Sequence, residues 1–233
     1  QRQMCIRDRA ERIYYPVSDN QEPLIYIGTD KEVKNPSVNI FFKHEATPDS
    51  LKNTISYYAS QYMLSMAMTM LNNRLNELRQ TANPPFTNAS AGYGEFFLAK
   101  TKEAFSLDAR SKVDGIDLAM KTVLEEAERA RRFGFTATEY ERARANYMQG
   151  VESAYNEREK TKSGSYVNEY VNNFLDKEPI PGIEFEYMLT KQMAPNIPVE
   201  AINKMMQQLI TDNNQVVPVS YTHLRAHETR GNL

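Results

Sequence analysis

Histidine stands beside possible metal-binding or catalytic partners at two places in the sequence. The first is His44-Glu45, the one histidine–carboxylate pair between residues 10 and 219. A single histidine forms a zinc site only if further ligands converge on it from elsewhere in the fold. We therefore predict that His44 is an ordinary surface histidine at the end of a strand.

The second place is His223-Leu224-Arg225-Ala226-His227. Two histidines at this spacing can bind one metal if the segment is helical. The segment resembles H-x-x-E-H, but Ala226 stands where the catalytic glutamate belongs, so no group of the motif could activate metal-bound water. H-E-x-x-H, G-x-S-x-G and P-loop sequences are absent as well. The sequence thus predicts no catalytic residue, no metal site and no cofactor of its own.

Composition narrows the class of protein further. Hydrophobic residues make up 41% of the chain and charged residues 25%, as in soluble globular proteins. The net charge of -2 argues against nucleic acid or an anionic membrane as a partner. No run of about 18 apolar residues is long enough to span a bilayer. The single cysteine, Cys5, excludes an internal disulfide and a cysteine-based zinc site.

Residue periodicity gives the elements that must position any site. Short segments rich in β-branched and aromatic residues predict strands at 23–30, 37–43, 86–99, 101–110 and 215–219. Helical spacing predicts helices at about 47–79, 113–132, 136–162, 165–176, 184–193 and 198–211. This arrangement indicates an α+β fold, with an antiparallel-dominated sheet and several helices packed on one side.

The first helix has the longest apolar face. Thr47-Pro48 is a credible N-cap followed by proline at the first helical position. The apolar residues that follow at helical spacing are Leu51, Ile55, Tyr58, Tyr62, Met66, Met70 or Leu71, Leu75 and Leu78. A second clear boundary is Thr136-x-x-Glu139, a capping box that follows the helix-ending Gly134.

The two ends differ from the rest of the chain. Residues 1–9 and 220–233 are basic and lack helical or alternating periodicity. Both resemble translated sequencing adapter, so we expect them to be artefactual tails and exclude them from fold reasoning. The natural segment is then a single domain at about 10–219, cut from a longer protein and truncated on its N-terminal side.

Four segments together resemble the pitrilysin/insulinase family of zinc metallopeptidases, the inverzincins. They are the helix end Arg74-Leu75-Asn76-Glu77-Leu78-Arg79 with the aromatic and small-residue strand after it, residues 135–144 (FTATEYERAR), residues 166–170 (YVNEY) and residues 196–200 (NIPVE). The resemblance covers nearly all of residues 10–219. The sequence in this range is similar to that of family members from Bacteroides-type bacteria.

The resemblance implies a domain of a chambered peptidase. Family members consist of homologous α+β domains arranged as two halves around a chamber, and one domain carries the zinc motif H-x-x-E-H. Since this chain lacks that motif, the resemblance implies a non-catalytic domain, most simply the one after the catalytic domain. Its partners would be the other insulinase-like domains of the parent chain and a peptide substrate. Zinc would be bound by the parent, and an exported, periplasmic bacterial location is suggested.

The resemblance also supplies two candidate substrate-binding residues. In the family's substrate-positioning domain, an arginine at this helix end and a tyrosine seven residues later contact the peptide. Arg79 matches the arginine, but Phe86 stands at the tyrosine position and has no hydroxyl to donate. The alternative is that Arg79 caps the helix and Phe86 packs in the core.

The sequence is also compatible with two rival functions. One is a zinc-free scaffold of the same fold, as in processing-complex and respiratory-complex core subunits. The other is a stand-alone module that binds peptides by strand addition at a sheet edge. The first reading, a chamber-forming domain that holds peptide for an absent catalytic domain, is our prediction.

Overall fold

The computed structural model describes residues 13–30, 32–97 and 99–221. His223, His227 and the tail predicted at 1–9 lie outside these ranges, as does the tail predicted at 220–233 except for its first two residues. Those two, Ser220 and Tyr221, belong to the last strand, which therefore runs past the predicted end at Val219.

Within the described residues, five strands form one mixed sheet. They are β1 (Leu24–Thr29), β2 (Ser37–Glu45), β3 (Asn88–Phe96), β4 (Ala99–Arg110) and β5 (Gln215–Tyr221). Their order across the sheet is β1-β5-β2-β4-β3. Only the β1–β5 pair is parallel among these strands, and the other three pairs are antiparallel. The predicted fold class, an antiparallel-dominated α+β domain, is confirmed.

Six α-helices accompany the sheet in the part of the chain that the structure describes. They are α1 (Ile55–Arg79), α2 (Ile116–Phe133), α3 (Ala137–Asn156), α4 (Ser163–Asp176), α5 (Ile183–Met193) and α6 (Val199–Leu209). The predicted capping box begins α3: Thr136 accepts a hydrogen bond from the Glu139 backbone N–H, and the Glu139 carboxylate accepts one from the Thr136 N–H. Gly134 ends α2 at φ 72°, a conformation that glycine adopts at little cost.

The predicted start of α1 was wrong. The helix begins at Ile55, and its N-cap is Thr54, whose side chain accepts from the Tyr57 N–H. Pro48 is extended at φ -57° and ψ 137°, and a single 3₁₀ turn at Asp49–Leu51 follows it. Leu51 and Ile55 are 52% and 65% exposed, so the buried face of α1 begins only at Tyr62.

The core lies between the central strands and the helices. Alternate residues of β2 and β4 point into it, among them Val38, Ile40, Phe105 and Leu107, each at most 2% exposed. Tyr62, Met66, Met70, Leu71 and Leu75 of α1 complete its centre. The inward-facing residues at the ends of β2 and β4 therefore lie at the margin of a well-packed core.

Helix α4 lies outside this core. All of its residues from 163 to 175 are exposed, and it contributes no buried residue. The sequence predicted a helix here, but its apolar side chains, including Val167 at 55% and Tyr170 at 63% exposure, face outward.

Candidate functional site

A cleft lies at one end of the sheet, between the last residues of β2, the first residues of β4 and the first turns of α1. It consists of two adjoining cavities of about 520 and 350 Å³, which we together call the end cleft. The residues that line both cavities are Thr47, Tyr57, Gln61, Tyr93 and Glu103. Volumes of this size are typical of pockets that hold small ligands.

Strand register brings three functional side chains to this cleft. His44 pairs with Glu103 across β2 and β4, and Tyr93 of β3 pairs with Phe105. Facing residues of an antiparallel pair point to the same side, and side chains alternate along a strand. Glu103 therefore continues the inward row of Phe105 and Leu107. The inward-facing residues of β4, which contribute to the core, thus end in the carboxylate of Glu103.

Lysines contact most of the acidic residues around the first cavity. Each of three lysines contacts two carboxylates: Lys52 with Asp49 and Glu178, Lys100 with Glu95 and Asp176, and Lys102 with Asp19 and Glu45. Lys102 is almost fully buried, and its hydrogen bonds to two carboxylates raise the pKa of its ammonium. These contacts join β4 to the chain before β1 and to the chain around the end of α4.

Glu103 is held by neutral donors instead. Its Oε1 accepts from the Thr47 backbone N–H at 3.2 Å, and its Oε2 accepts from the Tyr93 hydroxyl at 2.9 Å. The Thr47 hydroxyl lies 3.5 Å from the same Oε2. Within the described ranges, no lysine or arginine forms an ion pair with Glu103. Its carboxylate is oriented but not neutralised.

Two tyrosines of the cleft act as hydrogen-bond donors. The Tyr57 hydroxyl donates to the Glu178 carboxylate at 3.0 Å, and Tyr93 donates to Glu103. Burial, followed by the neighbouring carboxylate, raises the pKa of each phenol well above its usual value. Both phenols therefore stay protonated at neutral pH, which suits binding rather than proton abstraction.

His44 is half-buried, so the prediction of a surface histidine was wrong about its environment. It does lie at the end of β2, but its Nε2 is 3.0 Å from the Leu209 carbonyl oxygen. A carbonyl can only accept, so the ring donates through Nε2. Burial lowers the pKa of the imidazole. A neutral His44 thus joins the end of α6 to the sheet beside Glu103.

The structure does not bring Arg79 and Phe86 to this cleft. Arg79 is the last residue of α1, a 25-residue helix whose other end lines the cleft, and Phe86 follows the helix. Arg79 is exposed and donates to the Asn76 side chain at 2.7 Å. Phe86 is only 2% exposed and packs in the core, so it offers almost no surface to a ligand. A peptide contact therefore stays a prediction for Arg79 alone.

Arg74, not Arg79, is the strongly bound arginine of α1. Its Nε donates to Glu139 Oε1 at 2.6 Å and one Nη donates to Oε2 at 2.9 Å. The same guanidinium contacts Glu126 at 3.4 Å and the Gly134 carbonyl at 3.0 Å. These bonds tie α1 to α2 and α3, so Arg74 has a structural role at the end away from the cleft.

Sequence reasoning missed Glu103, although one signal was available. Glu103 has the same strand parity as the apolar Phe105, Leu107 and Ala109. A charged residue in an inward row needs a partner or a cavity. The rest of the cleft lining comes from several elements, and no local pattern brings them together.

Among the described residues, no group of three or more histidine, cysteine, aspartate or glutamate side chains could hold a metal ion. The end cleft therefore does not fit a zinc site, and we derive no zinc chemistry from it.

Solved structures define the class of fold. The chain superposes on the first half of the periplasmic protease PqqL from Escherichia coli with a TM-score of 0.80 at 17% identity, covering 91% of this chain and 44% of that one. It superposes on a peptidase M16 inactive domain from Pseudomonas fluorescens with a TM-score of 0.64 at 12% identity, covering 92% and 46%. The fold is that of M16, insulinase-family, peptidase domains.

A relative identified by sequence makes the comparison more specific. The chain is 28% identical over 203 residues to a zinc protease PQQL-like protein of Arabidopsis thaliana. These residues are 87% of this chain but only 18% of the relative. No family model matches the chain. Its relatives and structural neighbours are thus PqqL-like M16 peptidases, of which it spans a part.

Proposed function

We propose that the chain is a non-catalytic domain of a zinc metalloendopeptidase, and that it forms part of the chamber wall and holds peptide for a catalytic domain elsewhere in the parent. The observation that carries this proposal is the similarity over 203 residues to a PQQL-like zinc protease. The likeness to an M16 inactive domain supports a non-catalytic role.

We also propose that the chain forms a single insulinase-like domain. We place it at residues 10–219, with the two further residues of β5, and we assign the remaining ends to artefactual tails. Its partners in the parent would be other insulinase-like domains. The zinc would be bound by one of those domains, because the described part of this chain offers no suitable ligand group.

The end cleft is the surface on this domain best suited to hold peptide. It combines a cavity of about 520 Å³, two tyrosine hydroxyls and one oriented carboxylate. Arg79 is a second candidate contact at the other end of α1, where it is exposed.

We also propose an exported, periplasmic location for a bacterial parent. The support is the E. coli PqqL structure, whose protein is described as periplasmic. None of the described helices is long and apolar enough to cross a membrane.

The purified chain tests the non-catalytic assignment directly. We expect it to bind no zinc in metal analysis and to show no EDTA-sensitive cleavage of a quenched fluorescent peptide. EDTA-sensitive cleavage that co-purifies with the chain would overturn the assignment.

The parent's reading frame tests the enzymatic part of the proposal. We expect H-x-x-E-H within a few hundred residues before Ile13. A degenerate motif at that place would favour the zinc-free scaffold instead.

A further inference from the structure

The end cleft has an uneven charge balance. Six carboxylates and three lysines line its larger cavity. Five of those carboxylates contact a lysine: Glu45, Asp49, Glu95, Asp176 and Glu178. The sixth is Glu103, which has no cationic partner within 4 Å in the described part of the chain. Because it also lines the smaller cavity, it lies where the two cavities meet.

The position of Glu103 is fixed by the fold. Two hydrogen bonds, from the Thr47 N–H and the Tyr93 hydroxyl, reach different oxygens of its carboxylate. Each carboxylate oxygen has two lone pairs, and the Thr47 hydroxyl lies 3.5 Å from Oε2, so the open acceptor site is on Oε1. Neutral donors lower the cost of burying the charge but do not remove it. A ligand cation would therefore find a preoriented acceptor.

The walls around Glu103 suit the apolar stem and the charged end of a long side chain. Tyr57 and Tyr93 line both cavities, and tyrosine rings interact favourably with cations. Leu51, Leu64 and Met205 add apolar surface in the smaller cavity. His44 pairs with Glu103 across β2 and β4, but its Nε2 donates to the Leu209 carbonyl and burial lowers the pKa of its imidazole, so it does not compete for the carboxylate.

We propose that the end cleft binds a cationic group of a peptide, a guanidinium or an ammonium, with Glu103 as its acceptor. The inference rests on the proposed peptide-holding function for the choice of a peptide as ligand. The chemistry of the acceptor itself is independent of that function.

Three short peptides test the proposal on the unmodified chain by isothermal titration calorimetry or fluorescence anisotropy. The first is capped at both ends and contains one arginine in a neutral background. The second replaces this arginine with citrulline, which has nearly the same shape but no charge. The third has a free N-terminus and no basic side chain.

We expect the arginine peptide to bind at least about tenfold more tightly than the citrulline peptide, because a hydrogen bond to a charged group contributes that much or more. The preference should weaken as salt concentration rises. If the free N-terminus binds as well as arginine, the proposal stands and the cation comes from the peptide's end. If neither cationic peptide exceeds the citrulline peptide, the proposal is overturned.

A pair of variants tests the acceptor. Glu103→Gln keeps the shape of the side chain. Its amide oxygen can still accept from the Thr47 N–H, and its NH2 can donate to the Tyr93 hydroxyl oxygen. We expect this variant to abolish the preference for arginine. Glu95→Gln is the matched control, because it makes the same charge change in the same cavity on a carboxylate that already contacts Lys100. It should retain the preference within about threefold, and circular dichroism should show both variants folded. An equal loss in both variants would contradict a specific role of Glu103.

The two proposals fail in different ways. If neither cationic peptide binds more tightly than the citrulline peptide, the cation site is removed but the chamber-wall assignment stands. EDTA-sensitive cleavage by the chain removes that assignment and leaves the binding result unaffected.

Discussion

The Arg74 side chain connects helix α1 to helices α2 and α3. Its side chain is 17% exposed and is paired with the side chains of Glu126, 6% exposed, and Glu139, 27% exposed. Its plane also lies against the Phe135 ring, 4.8 Å from the ring centre. Removing one member of a buried ion pair is costly because the charge that remains is left in a poor solvent.

Arg74→Met should therefore lower the free energy of unfolding by about 3–5 kcal/mol. Arg79→Met, on the exposed end of the same helix, should cost less than about 1 kcal/mol. Urea denaturation followed by circular dichroism measures both. Equal costs would show that burial of the Arg74 cluster contributes little.

The same cluster predicts a pH dependence. Hydrogen bonds from Arg74 lower the pKa of Glu139 from 4.5 to about 2. The stability that the charged carboxylate contributes is therefore fully present above pH 4.5 and is lost as pH falls toward 2. We expect Arg74→Met to show a shallower decline in unfolding free energy over this interval than the unmodified chain.

A control is present in the same molecule. Glu128 also has a pKa of about 2, which Arg131 and Arg132 hold down. Its contribution is common to both proteins, so the difference between their pH profiles reports on Glu139. Identical profiles would contradict the assignment.

The contacts of Glu139 show what sequence can and cannot predict at this scale. Its capping bond to Thr136 is three residues away and was predicted from the motif. Its ion pair with Arg74 spans 65 residues and depends on how α1 crosses α2 and α3. Only the first has a local signature.

At the scale of elements, the start of α1 shows two threonines competing for one role. Thr47 is followed by proline, which favours a helix start. Thr54, however, donates its hydroxyl to the Leu51 carbonyl and accepts from the Tyr57 N–H, so it satisfies groups on both sides of the boundary. Lys52 directly follows the intervening 3₁₀ turn and contacts Asp49 and Glu178.

Thr54→Ala should accordingly cost about 1 kcal/mol of unfolding free energy, the usual loss of an N-cap. Thr47→Ala should cost less than about 0.5 kcal/mol, since its backbone N–H bond to Glu103 is unchanged. Thermal or urea unfolding of the two variants measures the difference. A larger loss at Thr47 would restore the helix start predicted from sequence.

Most other element positions were predictable, while their spatial arrangement was not. Periodicity placed the five strands and six helices within a few residues of their boundaries, apart from the start of α1 and the end of α3, which lies at Asn156 and not near residue 162. The parallel contact of β1 with β5 joins residues 24–29 to 216–221 and leaves no trace in either segment alone. The end cleft escaped prediction for the same reason.

At the scale of the whole molecule, apolar surface is concentrated on α4 and β1. Large apolar side chains more than half exposed there are Val167, Tyr170 and Phe174 on α4 and Leu24, Ile25, Tyr26 and Ile27 on β1. Contiguous exposed apolar surface commonly marks a contact site. An exposed contact surface agrees with the observation that the matched residues are only 18% of the plant relative.

Substitutions on α4 should change the surface without changing the core. The double variant Val167→Ser, Tyr170→Ser should alter unfolding free energy by no more than about 0.5 kcal/mol per site. Leu71→Ala, fully buried in α1, should cost about 2–5 kcal/mol. Urea denaturation compares them, and a large loss in the α4 variant would show that the helix stabilises the isolated chain.

The place of β1 beside β5 also determines the order in which the chain can fold. During synthesis on the ribosome, β1 emerges first, but the strand to which it bonds emerges after every helix is made. Until then its apolar edge is available to other nascent chains, and such edges promote aggregation. Completion of the sheet by the β1–β5 pair is therefore a late, long-range event. The yield of soluble protein should depend on how well β1 is shielded until β5 has been synthesised.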